Sequence, residues 1–90
     1  MNLRRSTIAT PSIALIDAVL DGYVAWREES AAVQAAYGNW LQVAREERVL
    51  AFAAYSAALD REEYAAGEYR RLIERAECQV AISQLRRATG

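Results

Sequence analysis

Apolar residues recur along the chain at alternating spacings of three and four, which is the period of one face of an α-helix. The first such stripe comprises Ile16, Val19, Tyr23, Trp26, Ser30, Val33, Tyr37, Trp40 and Ala44. Gly38-Asn39 is the strongest helix C-cap signal in the chain, but the stripe keeps its phase through these two residues. A turn there would not need to preserve the phase, so the continuity favours an unbroken helix. The pattern therefore predicts a first helix over residues 11–44.

The start of this helix is predicted from Thr10-Pro11. Threonine is a favoured N-cap, and proline is favoured at the first helical position because its missing N–H would have no partner there. The preceding residues 1–10 are predicted to form a mobile arm.

A second stripe begins after the first has ended and is out of phase with it. Its members are Phe52, Tyr55, Leu59, Glu62, Ala66, Tyr69, Ile73, Ala76 and Val80. The phase jump falls in the polar tetrapeptide Arg45–Arg48, which predicts a turn at residues 45–48 and a second helix over residues 47–88. The tetrapeptide has no glycine or proline, so one continuous helix is the main alternative.

A reversal at this turn predicts an all-α fold, a long antiparallel two-helix hairpin in which the two stripes face each other. Trp40 then lies opposite Phe52 and Trp26 opposite Ala66. The remaining expected pairs are Tyr37 with Tyr55, Val33 with Leu59, Ser30 with Glu62, Tyr23 with Tyr69, and Val19 with Ile73. A large ring against a small residue is favourable packing. No internal repeat is evident in the chain.

Each predicted helix has a second apolar face beside its stripe. Its members are Ala51, Ala58, Ala65 and Leu72 on the second helix, and Leu20, Ala31 and Leu41 on the first. A two-helix hairpin cannot bury both faces. We therefore expect two hairpins to associate as a homodimer into a four-helix bundle with coiled-coil-like packing.

The amino-acid composition restricts the partners and the catalytic or metal-binding chemistry that the chain could have. The chain has 90 residues, which fits a single domain, and its net charge of −1 gives no reason to expect nucleic acid or a membrane as a partner. Histidine is absent and every cation is an arginine. Without lysine the chain cannot form a Schiff base with a substrate. Without histidine it lacks Ser-His and Cys-His nucleophile systems and most zinc sites. We expect no catalytic residue, cofactor or metal.

Cellular location is predicted from the single cysteine and from the hydropathy. Cys78 cannot form an internal disulfide, which favours a reducing cytoplasm. We interpret its thiol as a small packing residue, with an intermolecular disulfide or a reactive thiol as the alternatives. The first ten residues have no apolar stretch of signal-peptide type, and charges interrupt every apolar run before it reaches transmembrane length.

Five residues are the candidates for interaction: Trp26, Trp40, Glu62, Tyr64 and Leu72. Glu62 falls on the apolar stripe of the second helix and is expected to lie opposite Ser30 of the first. Arg27 is one helical turn away from Ser30. It either reaches water at the edge of the seam or forms a polar layer that fixes the helix register. The aromatic residues are interpreted as core, with a ligand pocket between the helices as the alternative. Tyr64 lies off the stripe and is a candidate contact residue.

Two resemblances accompany these patterns. The segment LAFAAYSAALDREEYAAGEYRRLI, residues 50–73, resembles uncharacterised small Ala/Arg-rich helical proteins of high-GC actinobacteria, mycobacteria among them. That resemblance implies no activity. The predicted hairpin and the length of the chain are also similar to those of the WXG100 secretion substrates, which are helical hairpins of about this length that pair as dimers.

The WXG100 motifs are present only in altered form. The family has Trp-x-Gly in its turn, whereas this chain has the reversed order Gly38-Asn39-Trp40. The family's C-terminal Tyr-x-x-x-Asp/Glu signal is matched by Tyr64-Ala-Ala-Gly-Glu68, which lies in the middle of the predicted second helix.

The sequence thus predicts a non-enzymatic interaction or structural protein that associates with itself or with another helical protein. The alternatives are a WXG100-like secreted effector or partner, and a small-ligand or DNA-associated regulator. The arginine clusters Arg70-Arg71, with Arg75, and Arg86-Arg87 are the residues on which DNA binding would depend.

Overall fold

Two long α-helices pack antiparallel in a computed structural model that describes residues 11–89. Helix α1 spans Ile13–Gln42, a 3₁₀ turn spans Arg45–Glu47, and helix α2 spans Arg48–Thr89. The hairpin measures 68 × 20 × 13 Å. Its smallest dimension is close to the diameter of one helix, about 10–12 Å, so the molecule is a single layer. The described part of the chain has no strand.

Helix α1 begins two residues later than predicted. Ser12, and not a residue before Pro11, is the N-cap, and its hydroxyl accepts a hydrogen bond from the backbone N–H of Leu15 at 3.1 Å. The predicted N-cap Thr10 and the predicted arm lie outside the described residues. The backbone N–H of Ser12 donates to the side-chain oxygen of Gln79 at 3.0 Å, which joins the start of α1 to the far part of α2.

The chain reverses over residues 43–47, and α1 continues unbroken through Gly38 and Asn39. Val43 and Ala44 are extended, with ψ angles of 158° and 156°. Among the described residues, none with a side chain has a positive φ, so this turn needs no glycine. The reversal therefore starts two residues before the predicted tetrapeptide, and the alternative of one continuous helix is wrong.

The predicted helix register is found in the ring contacts along the hairpin. The ring centroids of Trp40 and Phe52 are 5.1 Å apart. Two further expected pairs are in contact at 5.4 Å, Tyr37 with Tyr55, and at 5.7 Å, Tyr23 with Tyr69. These contacts fix the antiparallel alignment of α1 and α2 over most of their shared length.

The centre of the helix interface differs from the prediction. The buried apolar residues are Leu15, Ala51 and Ala58, with Ala58 only 1% exposed. Ala51 and Ala58 were predicted on a second, outward face, and Leu72 with them, but Leu72 is also half-buried. The small alanine side chains let the helices approach closely, so the contact line runs along them and the larger rings lie to one side. On α1 the second face does remain outward.

Neither helix has a stretch long and apolar enough to cross a membrane, over the residues that the structure describes.

Two glycines of α1 allow a matched test of this packing. We expect Gly38→Ala to raise the free energy of unfolding by about 0.5–1 kcal/mol, because alanine has the higher helix propensity and a Cβ there would meet no neighbour within 4 Å. Gly22→Ala gains the same propensity, but its Cβ would lie 3.0 Å from Cδ1 of Leu72. The leucine must therefore move, and we expect a smaller gain in urea unfolding. Equal stabilisation by the two variants would contradict the close helix approach at Gly22.

Candidate interaction surface

Two clusters of aromatic rings connect the helices, one of three rings and one of four, which includes Phe52. In one, Trp26 of α1 stacks on Tyr69 of α2 at 5.8 Å with an interplanar angle of 14°, and Tyr23 meets Trp26 edge-on at 6.0 Å. In the other, Trp40 stacks on Tyr55 at 5.6 Å, again at 14°. The edge-on tyrosine of this second cluster is Tyr37, 6.1 Å from Trp40. The two clusters have nearly the same geometry.

This similarity reflects a repeat in the sequence. Tyr-x-x-Trp occurs at Tyr23–Trp26 and again at Tyr37–Trp40, two heptads later. The accepting tyrosines on α2, Tyr55 and Tyr69, are also two heptads apart. Two heptads return a packed helix to the same face, so both clusters lie on the same side of the hairpin. The doubled Tyr-x-x-Trp is the sequence signal of the two clusters.

A partly buried carboxylate accompanies only one cluster. The indole N–H of Trp26 donates to Oε2 of Glu62 at 2.8 Å, and the hydroxyl of Ser30 donates to the same oxygen at 3.4 Å. Arg27 makes no ion pair with Glu62; its guanidinium lies over the Trp26 ring, 6.0 Å from the centroid. Glu62 thus binds two side chains of the facing helix, which is the arrangement that a polar layer requires.

The side of the hairpin that carries both clusters, here called the aromatic face, is only partly covered by the fold. Large apolar side chains along it remain between 36% and 58% exposed: Ile16, Leu20, Tyr23, Tyr37, Leu41, Phe52 and Leu59. Singly exposed apolar residues are ordinary on protein surfaces, but a continuous row of them marks an interaction site.

The opposite side of the hairpin has a different character. An open groove of about 500 Å³ lies between the helices there, with Gly22, Ala25 and Ala65 in its lining. Charged residues surround it, and Arg61 bridges to Glu29 of α1 at 3.4 Å. Arg71 pairs with Glu68 on the same side, and this hydrogen bond, followed by the carboxylate's charge, raises the pKa of Arg71.

The structure separates the five predicted interaction residues. Trp26, Trp40 and Glu62 belong to the two ring clusters. Tyr64 lines the groove on the opposite side, 69% exposed. Leu72 packs against Gly22 between the helices. The candidates therefore do not form one site, and the exposed residues of the aromatic face were mostly missed because their stripe was interpreted as buried core.

Two further sequence-based expectations concern chemistry. Cys78 is exposed, so its interpretation as a small packing residue is wrong. Within residues 11–89, no three carboxylate or thiol side chains come together in a way that could hold a metal ion.

Comparison of the chain with known protein families, curated proteins and solved structures gave no match.

The Trp26–Glu62 hydrogen bond can be tested against the second cluster as an internal control. Trp26→Phe keeps a stacked ring but removes the indole N–H, so Glu62 loses its shortest contact. We expect this variant to lose about 1 kcal/mol more stability than Trp40→Phe in guanidinium unfolding. Both variants remove the same atoms from a ring stacked at 14°, and Trp40 has the additional contact with Phe52 at 5.1 Å. Equal losses would contradict a stabilising role for the hydrogen bond.

Proposed function

We propose that this chain is a non-enzymatic interaction protein whose aromatic face docks against other helices, first of all those of a second copy, to form a four-helix bundle. The observation that carries the proposal is the row of half-exposed large apolar side chains on that one face. Helices bind apolar grooves through residues spaced three and four apart, and this face presents such spacing on both helices.

The dimensions of the hairpin support self-association. The chain exposes 6976 Å² of surface, whereas a compact protein of its mass exposes about 5,200 Å². Its radius of gyration is 20.1 Å, against about 12 Å for a compact domain of this length. A single layer of two helices has only one internal seam. A second layer gives the aromatic face an apolar environment.

The residue types support an interaction role over catalysis. The chain has no histidine and no lysine, so the most frequent general base and the amine nucleophile are both missing. The one carboxylate set among the rings, Glu62, is engaged by Trp26 and Ser30. The single cysteine fits a reducing compartment, and we place the bundle in the cytoplasm.

A WXG100-like secreted effector or partner is the second candidate. The hairpin architecture favours it, since that family consists of helical hairpins that pair. The position of the motifs opposes it: Gly38-Asn39-Trp40 lies within α1 and not in the turn, and Tyr64 and Glu68 lie in the middle of α2.

Association through the aromatic face is tested with two matched double variants. Leu41→Gln with Leu59→Gln places amides on the aromatic face, and we expect it to raise the dimer dissociation constant at least tenfold, about 1.4 kcal/mol. Val24→Gln with Tyr64→Gln changes two exposed residues that lie off this face, and it should leave the constant unchanged. Sedimentation equilibrium measures both, with helix content by circular dichroism as the folding control. Equal effects of the two pairs would refute the assignment of the face.

The secretion candidate makes a separate prediction about Tyr64 and Glu68. If these residues form an export signal, Tyr64→Ala and Glu68→Ala should abolish the appearance of the chain in the culture medium, whereas the cytoplasmic bundle predicts that neither change alters its location. Immunoblots of cell and medium fractions from an actinobacterial host distinguish the two results.

A further inference from the structure

The outermost positions of the aromatic face form one row on each helix, at intervals of seven residues. On α1 the row comprises Ile13, Leu20, Arg27, Gln34 and Leu41, and on α2 it comprises Val49, Ser56, Glu63, Arg70, Glu77 and Gln84. Every member of both rows is exposed except Ser56, which is half-buried. Such rows flank the interface of a helical bundle, where salt bridges between charged side chains determine which helices pair and whether they run parallel or antiparallel.

Arg27 and Glu63 stand near the middle of these rows with no ion-pair partner within residues 11–89, where the ion pairs are Arg61–Glu29 and Arg71–Glu68. Both residues are exposed, and the guanidinium of Arg27 lies over the Trp26 ring, 6.0 Å from its centroid. The ring contacts set Tyr37 level with Tyr55 and Tyr23 level with Tyr69. In that register the Cα of Glu63 is about 3 Å nearer the turn than that of Arg27, two residues at 1.5 Å each.

We propose that the second copy packs on the aromatic face in a parallel arrangement, with both turns at the same end and α1 of each copy against α2 of the other. Arg27 then pairs with Glu63 of the second copy, and the two-fold axis repeats the pair. This inference rests on the proposed self-association and specifies its geometry.

Neighbouring positions fit the same alignment. A two-fold axis parallel to the hairpin preserves height, so the 3 Å offset applies along the whole row. Leu41 then contacts Val49 of the second copy, and Gln34 contacts its Ser56. Apolar side chains therefore face apolar ones, and polar side chains face polar ones. Toward the open end, Leu20 and Ile13 meet long side chains of the second copy, Arg70 and Glu77, whose aliphatic stems can cover them.

The antiparallel arrangement leaves Arg27 without an acidic partner. In it α1 packs against α1 and α2 against α2 of the second copy, and the outer row of α1 contains no carboxylate, although Glu63 and Arg70 on α2 can approach each other. With the hairpins fully overlapped, the axis passes close to Arg27 and brings the two guanidinium groups together. Like charges facing each other are destabilising, so the charge of Arg27 favours the parallel form.

The available area is sufficient for this interface. The surface in excess of a compact protein of this mass is about 1,700 Å², and a stable interface covers about 800 Å² on each partner.

A charge exchange tests the Arg27–Glu63 pairing. We expect Arg27→Glu and Glu63→Arg each to raise the dimer dissociation constant at least fivefold at 150 mM salt, and the double variant to return to within twofold of the native chain. Arg75→Glu and Glu28→Arg reverse the same charges off this face and should change the constant less than twofold. Weakening by both single variants without recovery in the double variant would overturn the pairing, although self-association would stand.

Spin labels at the turn test the direction independently. In Arg45→Cys with Cys78→Ser, the parallel arrangement places the two labels about 10–20 Å apart, within one or two helix spacings. The antiparallel arrangement separates them by about 50 Å. A distance near the longer value would refute the parallel form, and a native chain that stays monomeric would refute the proposed function itself.

Discussion

The stacking of each tryptophan of α1 on a tyrosine of α2 is the interaction on which the structure depends. Eight ring pairs connect the aromatic residues of the described hairpin. Each such pair contributes about 0.5–1.5 kcal/mol beyond its area burial, and together they are of the same order as the net stability of a small domain. Among residues 11–89 the buried aliphatic core is small by comparison, and Leu15 is its one large member.

The position of the stacked rings also explains why the aromatic face stays partly exposed in the single hairpin. Alanines occupy the line of closest approach between the helices, so the rings are displaced to one side and cannot be enclosed by two helices alone. Tyr23 and Tyr37 are consequently 44% exposed although they take part in the clusters. The same choice of small residues at the seam and large residues beside it explains both the close hairpin and its one-sided apolar face.

The sequence predicted much of this fold and less of the surface. Phase continuity through Gly38 and the phase jump at Arg45–Arg48 located the reversal to within two residues, and three of the ring pairs between the helices followed from that register. The division between buried and exposed stripes could not be derived in the same way. Hydrophobic period identifies a face but not its depth, and depth depends on side-chain volume at the contact, here that of Ala51 and Ala58.

The local chemistry shows the same limit. Glu62 was placed opposite Ser30 by spacing alone, and the two are in contact, but the indole N–H of Trp26 as its main donor depends on the rotamers of a packed cluster. The N-cap also differs from the prediction: the hydroxyl of Ser12 accepts from the N–H of Leu15, and the backbone N–H of Ser12 donates to Gln79. Gln79 lies 67 residues further along the chain, so local capping signals could not predict this contact.

Coverage of the aromatic face by a second copy is the central claim, and the solution mass of the native chain tests it most directly. Sedimentation equilibrium across the micromolar range should give twice the chain mass of 10.0 kDa at the upper concentrations. A single species of 10.0 kDa that persists at several hundred micromolar would contradict the account.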